Sequence, residues 1–170
     1  MLLAEVSKLA HPPRVIGVFR RDELPRGARP AVGLALWHVA DPGNVGTILR
    51  SADALGPAFV ALSAGCADPT SPKAVRASMG ALFRVPLLRF EDAPRPWTGL
   101  VVSGGAPLSE LDLHEGTFVL GAEREGLPEE GLAQCDQRAT IQLAPSAESL
   151  NVAMAGTIAL YELSRRRSSS

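Results

Sequence analysis

Cysteine is nearly missing from this 170-residue chain, which has only Cys66 and Cys135. Two cysteines build neither a disulfide framework nor a zinc cluster, and their scarcity predicts a reducing, cytoplasmic setting with both as buried small residues. The three histidines, His11, His38 and His114, are scattered, so no metal site is expected from them. No apolar run approaches the roughly 20 residues that a membrane helix needs, and the start of the chain lacks a signal-peptide pattern. Nor is there an excess of either charge: 17 Lys and Arg face 18 Asp and Glu, for a net charge of −1. That balance excludes a binder driven by bulk positive charge and leaves room for a local basic patch.

Against these absences, 46% of the residues are hydrophobic, enough for one packed core. From about residue 31, short apolar strands alternate with helical stretches, the pattern of an α/β fold with a parallel sheet. Strands are expected over 31–40, 58–62, 84–88, 100–102, 117–120 and 139–143. Helices are expected over 44–55, 72–83 (Ser71 as N-cap, Pro72 in the first turn) and 150–165, with a helical turn at 128–134. Residues 1–30 differ: Val15 to Phe19 has strand character, but prolines interrupt the region. It is expected to be a linker or the remnant of a preceding domain, with the main domain over 31–166 and a frayed, charged tail after it.

Three segments carry polar residues where a strand feeds a helix or turn. Asp41-Pro42-Gly43-Asn44-Val45-Gly46-Thr47-Ile48-Leu49-Arg50 turns tightly into a helix whose N-terminus faces the edge where α/β sheets bind ligands. Taken alone, Asn44 is equally a helix cap and Arg50 a surface ion-pair partner. Gly121-Ala122-Glu123-Arg124-Glu125-Gly126-Leu127 follows a strand; Gly121 allows close backbone approach by a ligand and Gly126 a sharp turn. This loop is neither a P-loop nor the dinucleotide fingerprint, which excludes a dehydrogenase of that type. Ser149-Leu150-Asn151 opens the last helix, which continues with the small residues Ala153, Ala155 and Gly156.

In their order and spacing the three segments resemble the motifs of the SpoU/TrmH family of RNA ribose 2′-O-methyltransferases, within the SPOUT class. The resemblance spans about residues 31–166 and includes Pro72 to Ala81, which is similar to the family's helix between motifs. It implies a parallel-sheet α/β fold whose C-terminal segment forms a deep trefoil knot, an exception to the usual topology rules. It implies S-adenosylmethionine as methyl donor, contacted by Leu120, Gly121, Ile141, Leu150 and Asn151. It further implies a catalytic set of Asn44, Arg50, Glu123, Ser149 and Asn151, and a homodimer with each site completed near the subunit interface. Asn44 and Glu123 are then expected to order the site, and Ser149 and Asn151 to orient the ribose or donor. A guanidinium stays charged, so Arg50 is expected to stabilise the developing alkoxide or anchor a phosphate.

RNA contact is expected from Lys73, Arg76 and Arg84, with Arg14, Arg20, Arg21, Arg26 and Arg29 as further candidates near the start. Ribosomal RNA is the first expectation for the substrate and transfer RNA the second; a non-catalytic RNA-binding member of the same fold is the rival reading. Two features depart from the family pattern. Many relatives carry an N-terminal RNA-recognition domain, of which residues 1–30 resemble only a last strand and linker, as in a fragment or a shortened form. Ile141-Gln142-Leu143 stands where the family has Ile-Pro-Met, which predicts a less rigid backbone beside the donor and weaker donor binding.

Overall fold

The computed structural model describes residues 14–25, 30–111 and 114–167. Seven strands form one sheet: β1 (Val32–Leu36), β2 (Phe59–Leu62), β3 (Leu87–Arg89), β4 (Trp97–Val101), β5 (Ala106–Pro107), β6 (Gly116–Leu120) and β7 (Gln137–Thr140). Their order is β3-β2-β1-β6-β4-β7-β5, and every pairing is parallel. Four helices accompany them: α1 (Pro42–Leu55), α2 (Pro72–Ala77), α3 (Glu129–Leu132) and α4 (Val152–Arg167).

β1 and β6 are buried at every position, as the apolar runs VGLAL and GTFVL require of strands covered on both faces. Leu34, Leu36, Val60, Phe118 and Leu120 meet Ile48 and Leu49 of α1 and Ala159 and Leu160 of α4 in the larger core cluster. Each such large side chain contributes about 1.5–3 kcal/mol by leaving water. On the opposite face, Ala35, Phe59, Ala61 and Val119 pack under Trp37, Phe90 and Trp97. α1 begins where Asp41 accepts hydrogen bonds from the Gly43 and Asn44 amides, with Pro42 in its first turn. At Gly46 the absence of a side chain lets the Ala74 carbonyl and Ala77 of α2 lie directly against α1.

Several expected elements are corrected. The helix expected over 72–83 stops at Ala77, because Met79 (φ 50°) and Gly80 (φ 85°) turn left-handed before a short 3₁₀ turn at Ala81–Phe83. No strand forms over 15–19. Instead Phe19 stands edge-on to Phe83 at 4.8 Å, and further along Leu24 is buried and the Pro25 carbonyl accepts from the Leu87 amide. The strand expected at 84–88 begins only at Leu87, and the two-residue β5 was not expected at all. α4 extends through Arg167, and Arg166 donates to the Ser109 carbonyl at 2.7 Å. Arg26, Arg29 and His11 lie outside the described residues.

The strand order places the site. β1 connects outward to β2 on one side, while β6, its neighbour, leads on to β7 on the other. Loops leaving the carboxyl ends of two such strands diverge and open a crevice, where α/β sheets bind ligands.

Candidate active site

The loop after β1 and the loop after β6 meet across that crevice. Glu123 Oε1 accepts from the side-chain amide of Asn44 at 3.0 Å and from the Asp41 backbone N–H at 3.2 Å. A carboxylate only accepts, so Asn44 must turn its Nδ2 toward Glu123 and its Oδ1 away. That Oδ1 accepts from Asn151 Nδ2 at 3.1 Å. The Asn151 Oδ1 in turn caps α4, accepting from the amides of Ala153 (2.9 Å) and Met154 (3.3 Å). Three residues from three distant segments thus form one chain of hydrogen bonds in which every amide has a fixed orientation.

Burial disfavours the charge on Glu123, but the Asn44 amide and the surrounding backbone N–H groups outweigh it and hold the carboxyl below its ordinary range. Asp41 is held low as well, first by the hydrogen bond from Lys73, whose Nζ lies 2.8 Å from Oδ2. Both carboxyls are therefore anions at neutral pH. Glu123 acts as a fixed acceptor, not a base poised near 7.

Beside this chain lies a cavity holding about 770 Å³ of empty space, its open mouth included. Leu120, Gly121, Ile141 and Leu150, all four expected on the donor together with Asn151, line it; Glu123 and Ser149 stand at its polar side. Leu143 and Ala155 add to the apolar lining, with Leu100, Val101, Val102 and Val152, which sequence reasoning did not single out. The lining matches a site for a small organic cofactor, with a few polar groups on an apolar floor. Gly121 has a second role besides lining the cavity. A Cβ there would strike the Gly126 carbonyl carbon and oxygen and the Leu127 amide, so its missing side chain admits its own loop. That loop folds back through paired hydrogen bonds between Ala122 and Gly126, and Gly126 takes φ 67°.

The remaining candidates divide. Asn151 belongs to the hydrogen-bonded chain and Ser149 to the cavity wall. Arg50 joins neither: six residues along α1 place it about 9 Å from Asn44 in rise and about 120° around the helix. It is exposed, and among the described residues no hydrogen bond or ion pair reaches it. Lys73 is paired with Asp41, and Arg84 grips Asp53 through two nitrogens at 2.6–3.1 Å. Arg20 and Arg21 pair with Asp22 and Asp68. Arg76 and Arg14 are exposed with no such pairing among the described residues. On α4, a Cβ on Gly156 would meet side-chain methyls of Leu120 and Leu34 at 3.0 Å, so this glycine lets the helix lie close on the sheet. Sequence reasoning missed Asp41 as the hub; the signal was an Asp directly before a proline at a helix start.

A family model described as the SpoU rRNA methylase family matches residues 31–161, from the start of β1 to the middle of α4. The chain belongs to this family. SpoU relatives include an uncharacterized tRNA/rRNA methyltransferase of Synechocystis, 35% identical, and the 23S rRNA (uridine-2′-O)-methyltransferase of Streptomyces viridochromogenes, 34% identical. Each match covers 98% of this chain and 65% of the relative, so the chain spans about two thirds of the length of these relatives. An AdoMet-bound rRNA methyltransferase from Sinorhizobium meliloti superposes with a TM-score of 0.86 at 32% identity, over 98% of this chain and 69% of that one. The α/β fold expected from the SpoU/TrmH motifs is therefore established. Among the described residues no helix is long and apolar enough to cross a membrane, and no group of three or more His, Cys, Asp or Glu could hold a metal ion.

Proposed function

We propose that this SpoU-family chain methylates a ribose 2′-hydroxyl of RNA, with S-adenosylmethionine as donor, and that the RNA is ribosomal. The observation that carries the reading is the Glu123–Asn44–Asn151 chain set against the apolar cavity. Leu120, Ile141 and Leu150 would hold the cofactor, with the 121–126 loop closing beside them. The cofactor supplies a methyl group on a sulfonium, a leaving group that needs no acid. Positioning is then the main demand on the protein.

The residues are suited to that demand. Glu123, kept ionised, fixes Asn44, which fixes Asn151, the chain neighbour of Leu150 and Val152 in the cavity wall. Ser149 presents a hydroxyl to the same space. Arg50, exposed and not among the residues that line its own cavity, reaches the cavity of a second copy in a homodimer, where its charge stabilises the developing alkoxide. With its charge so offset, the hydroxyl needs only a weak base such as water. Residues 141–151 run from β7 past the cavity to α4, and we read them as the stretch that completes the trefoil knot. Residues 31–166 are the catalytic unit, and the enzyme acts in the cytoplasm. Arg76 is the best placed of the expected RNA contacts, since the other two are ion-paired within the chain.

The test is incubation of the protein with methyl-labelled donor and total RNA, followed by mapping of the label. Label on a ribose of ribosomal RNA is expected. Label on transfer RNA would move the substrate class, and donor binding with no transfer to any RNA would overturn the reading in favour of a non-catalytic member.

A further inference from the structure

Lys73 stands at the second position of α2, behind the Ser71 cap and Pro72. Its Nζ reaches across 32 residues of sequence to Asp41 Oδ2 at 2.8 Å. The other oxygen of Asp41 holds the Gly43 and Asn44 amides at 2.5 and 3.2 Å, and the Asp41 N–H donates to Glu123. A Cβ on Gly43 would lie 3.2 Å from Lys73 Cε, so the lysine stem runs along the first turn of α1. Close packing at Gly46 brings α2 against α1, and this short ion pair between two half-exposed side chains joins them a second time.

We propose that Lys73 is a positioning residue for methyl transfer and not an RNA contact; this rests on the transferase reading above. By holding one carboxylate oxygen, Lys73 stops the Asp41 side chain from rotating, so the other oxygen stays on the Asn44 amide. Asn44 then carries that constraint to Glu123 and Asn151. Without Lys73 the carboxylate turns toward water, the first turn of α1 loosens, and the Asn44 side chain no longer meets both partners at once. The cavity wall contains none of Lys73, Asp41 or Asn44, and of their direct partners only Glu123, so donor binding changes less than the rate of transfer.

The experiment compares wild type with Lys73→Met, Lys73→Arg, Asp41→Asn and the Lys73→Met/Asp41→Asn double variant. In Lys73→Met, kcat is expected to fall about 10-fold, as a small misplacement of reacting groups allows. The donor Kd changes by less than kcat does, the RNA Kd and its salt dependence stay at wild-type values, and hydrogen exchange at the Gly43 and Asn44 amides quickens. Lys73→Arg restores part of kcat, and the double variant is no worse than Asp41→Asn alone. Unchanged kcat with a salt slope reduced by about one would identify a phosphate contact and overturn the proposal. So would unchanged amide exchange at Gly43 and Asn44. If wild type itself transfers no methyl group, the transferase reading falls, while amide exchange still reports whether Lys73 holds α1.

Discussion

Asn44 and Glu123 lie 79 residues apart in sequence and are joined by one hydrogen bond of 3.0 Å between side-chain amide and carboxylate. That bond crosses the crevice between the loops after β1 and β6 and decides which way Asn44 faces.

Two substitutions at Asn44 separate geometry from charge. Asn44→Ala removes both side-chain bonds and is expected to lower methyl transfer about 100-fold through misplacement of the site, with the donor Kd nearly unchanged. Asn44→Asp instead sets a second carboxylate against Glu123, and the second of two such groups ionises only at a raised pH, where the pair repels. Its activity at pH 8 should fall below that of Asn44→Ala and recover as the pH drops toward 6. Steady-state rates across that range check the crossing.

Glu123 gives a pH signature. Its folded-state carboxyl sits below the ordinary 4.5, so the unfolded chain takes up the proton first as pH falls. The stability this group contributes is thus complete above that value and is lost as the pH falls through the lower, folded one. Melting temperatures of wild type and Glu123→Gln should differ by a constant amount between pH 6 and 8, and converge only below about 4.5. A gap that already closes near pH 6 would mean a raised pKa and would recast Glu123 as a base.

Glycines 121 and 156 predict opposite outcomes from the same change. Gly121→Ala forces a Cβ into the backbone of Gly126, which does not move without opening the loop. A loss of about 1–3 kcal/mol in stability and a donor Kd at least several-fold weaker are expected. Gly156→Ala meets only the methyl ends of Leu120 and Leu34, and the helix gains about 1 kcal/mol of propensity to offset that crowding. Thermal melts and donor titration of the two variants make the comparison.

Arg76 and Arg84 separate an exposed cation from a paired one. Arg76→Ala should lower the slope of log RNA affinity against log salt by about one, the signature of a lost phosphate contact. Arg84, held by Asp53, should leave the slope unchanged when replaced by Ala. Equal effects would remove the distinction.

Much of this was legible in the sequence. The alternation of apolar runs with helical periodicity fixes a parallel α/β sheet, and Asn44, Glu123 and Asn151 are identifiable from motif order before their contact is seen. Local chemistry explains the misses. Pro72 to Phe83 has helical spacing throughout, but left-handed Met79 and Gly80 end the helix early. Lys73 reads as a free cation because its partner lies 32 residues away, and Arg84 because Asp53 lies 31 away. Arg50 is the opposite case: its six-residue spacing from Asn44 on a predicted helix already sets it about 120° around the axis, apart from Asn44's hydrogen bonds.

The central claim is that a ribose oxygen receives the methyl group at a site ordered by Asn44. The most direct measurement is single-turnover transfer, at saturating donor, to the mapped RNA and to the same RNA carrying a 2′-deoxy sugar at the target nucleotide. Transfer by wild type to the ribose form alone, and much slower transfer by Asn44→Ala, is the predicted result. Label on the deoxy RNA, or an Asn44→Ala rate equal to wild type, would contradict it.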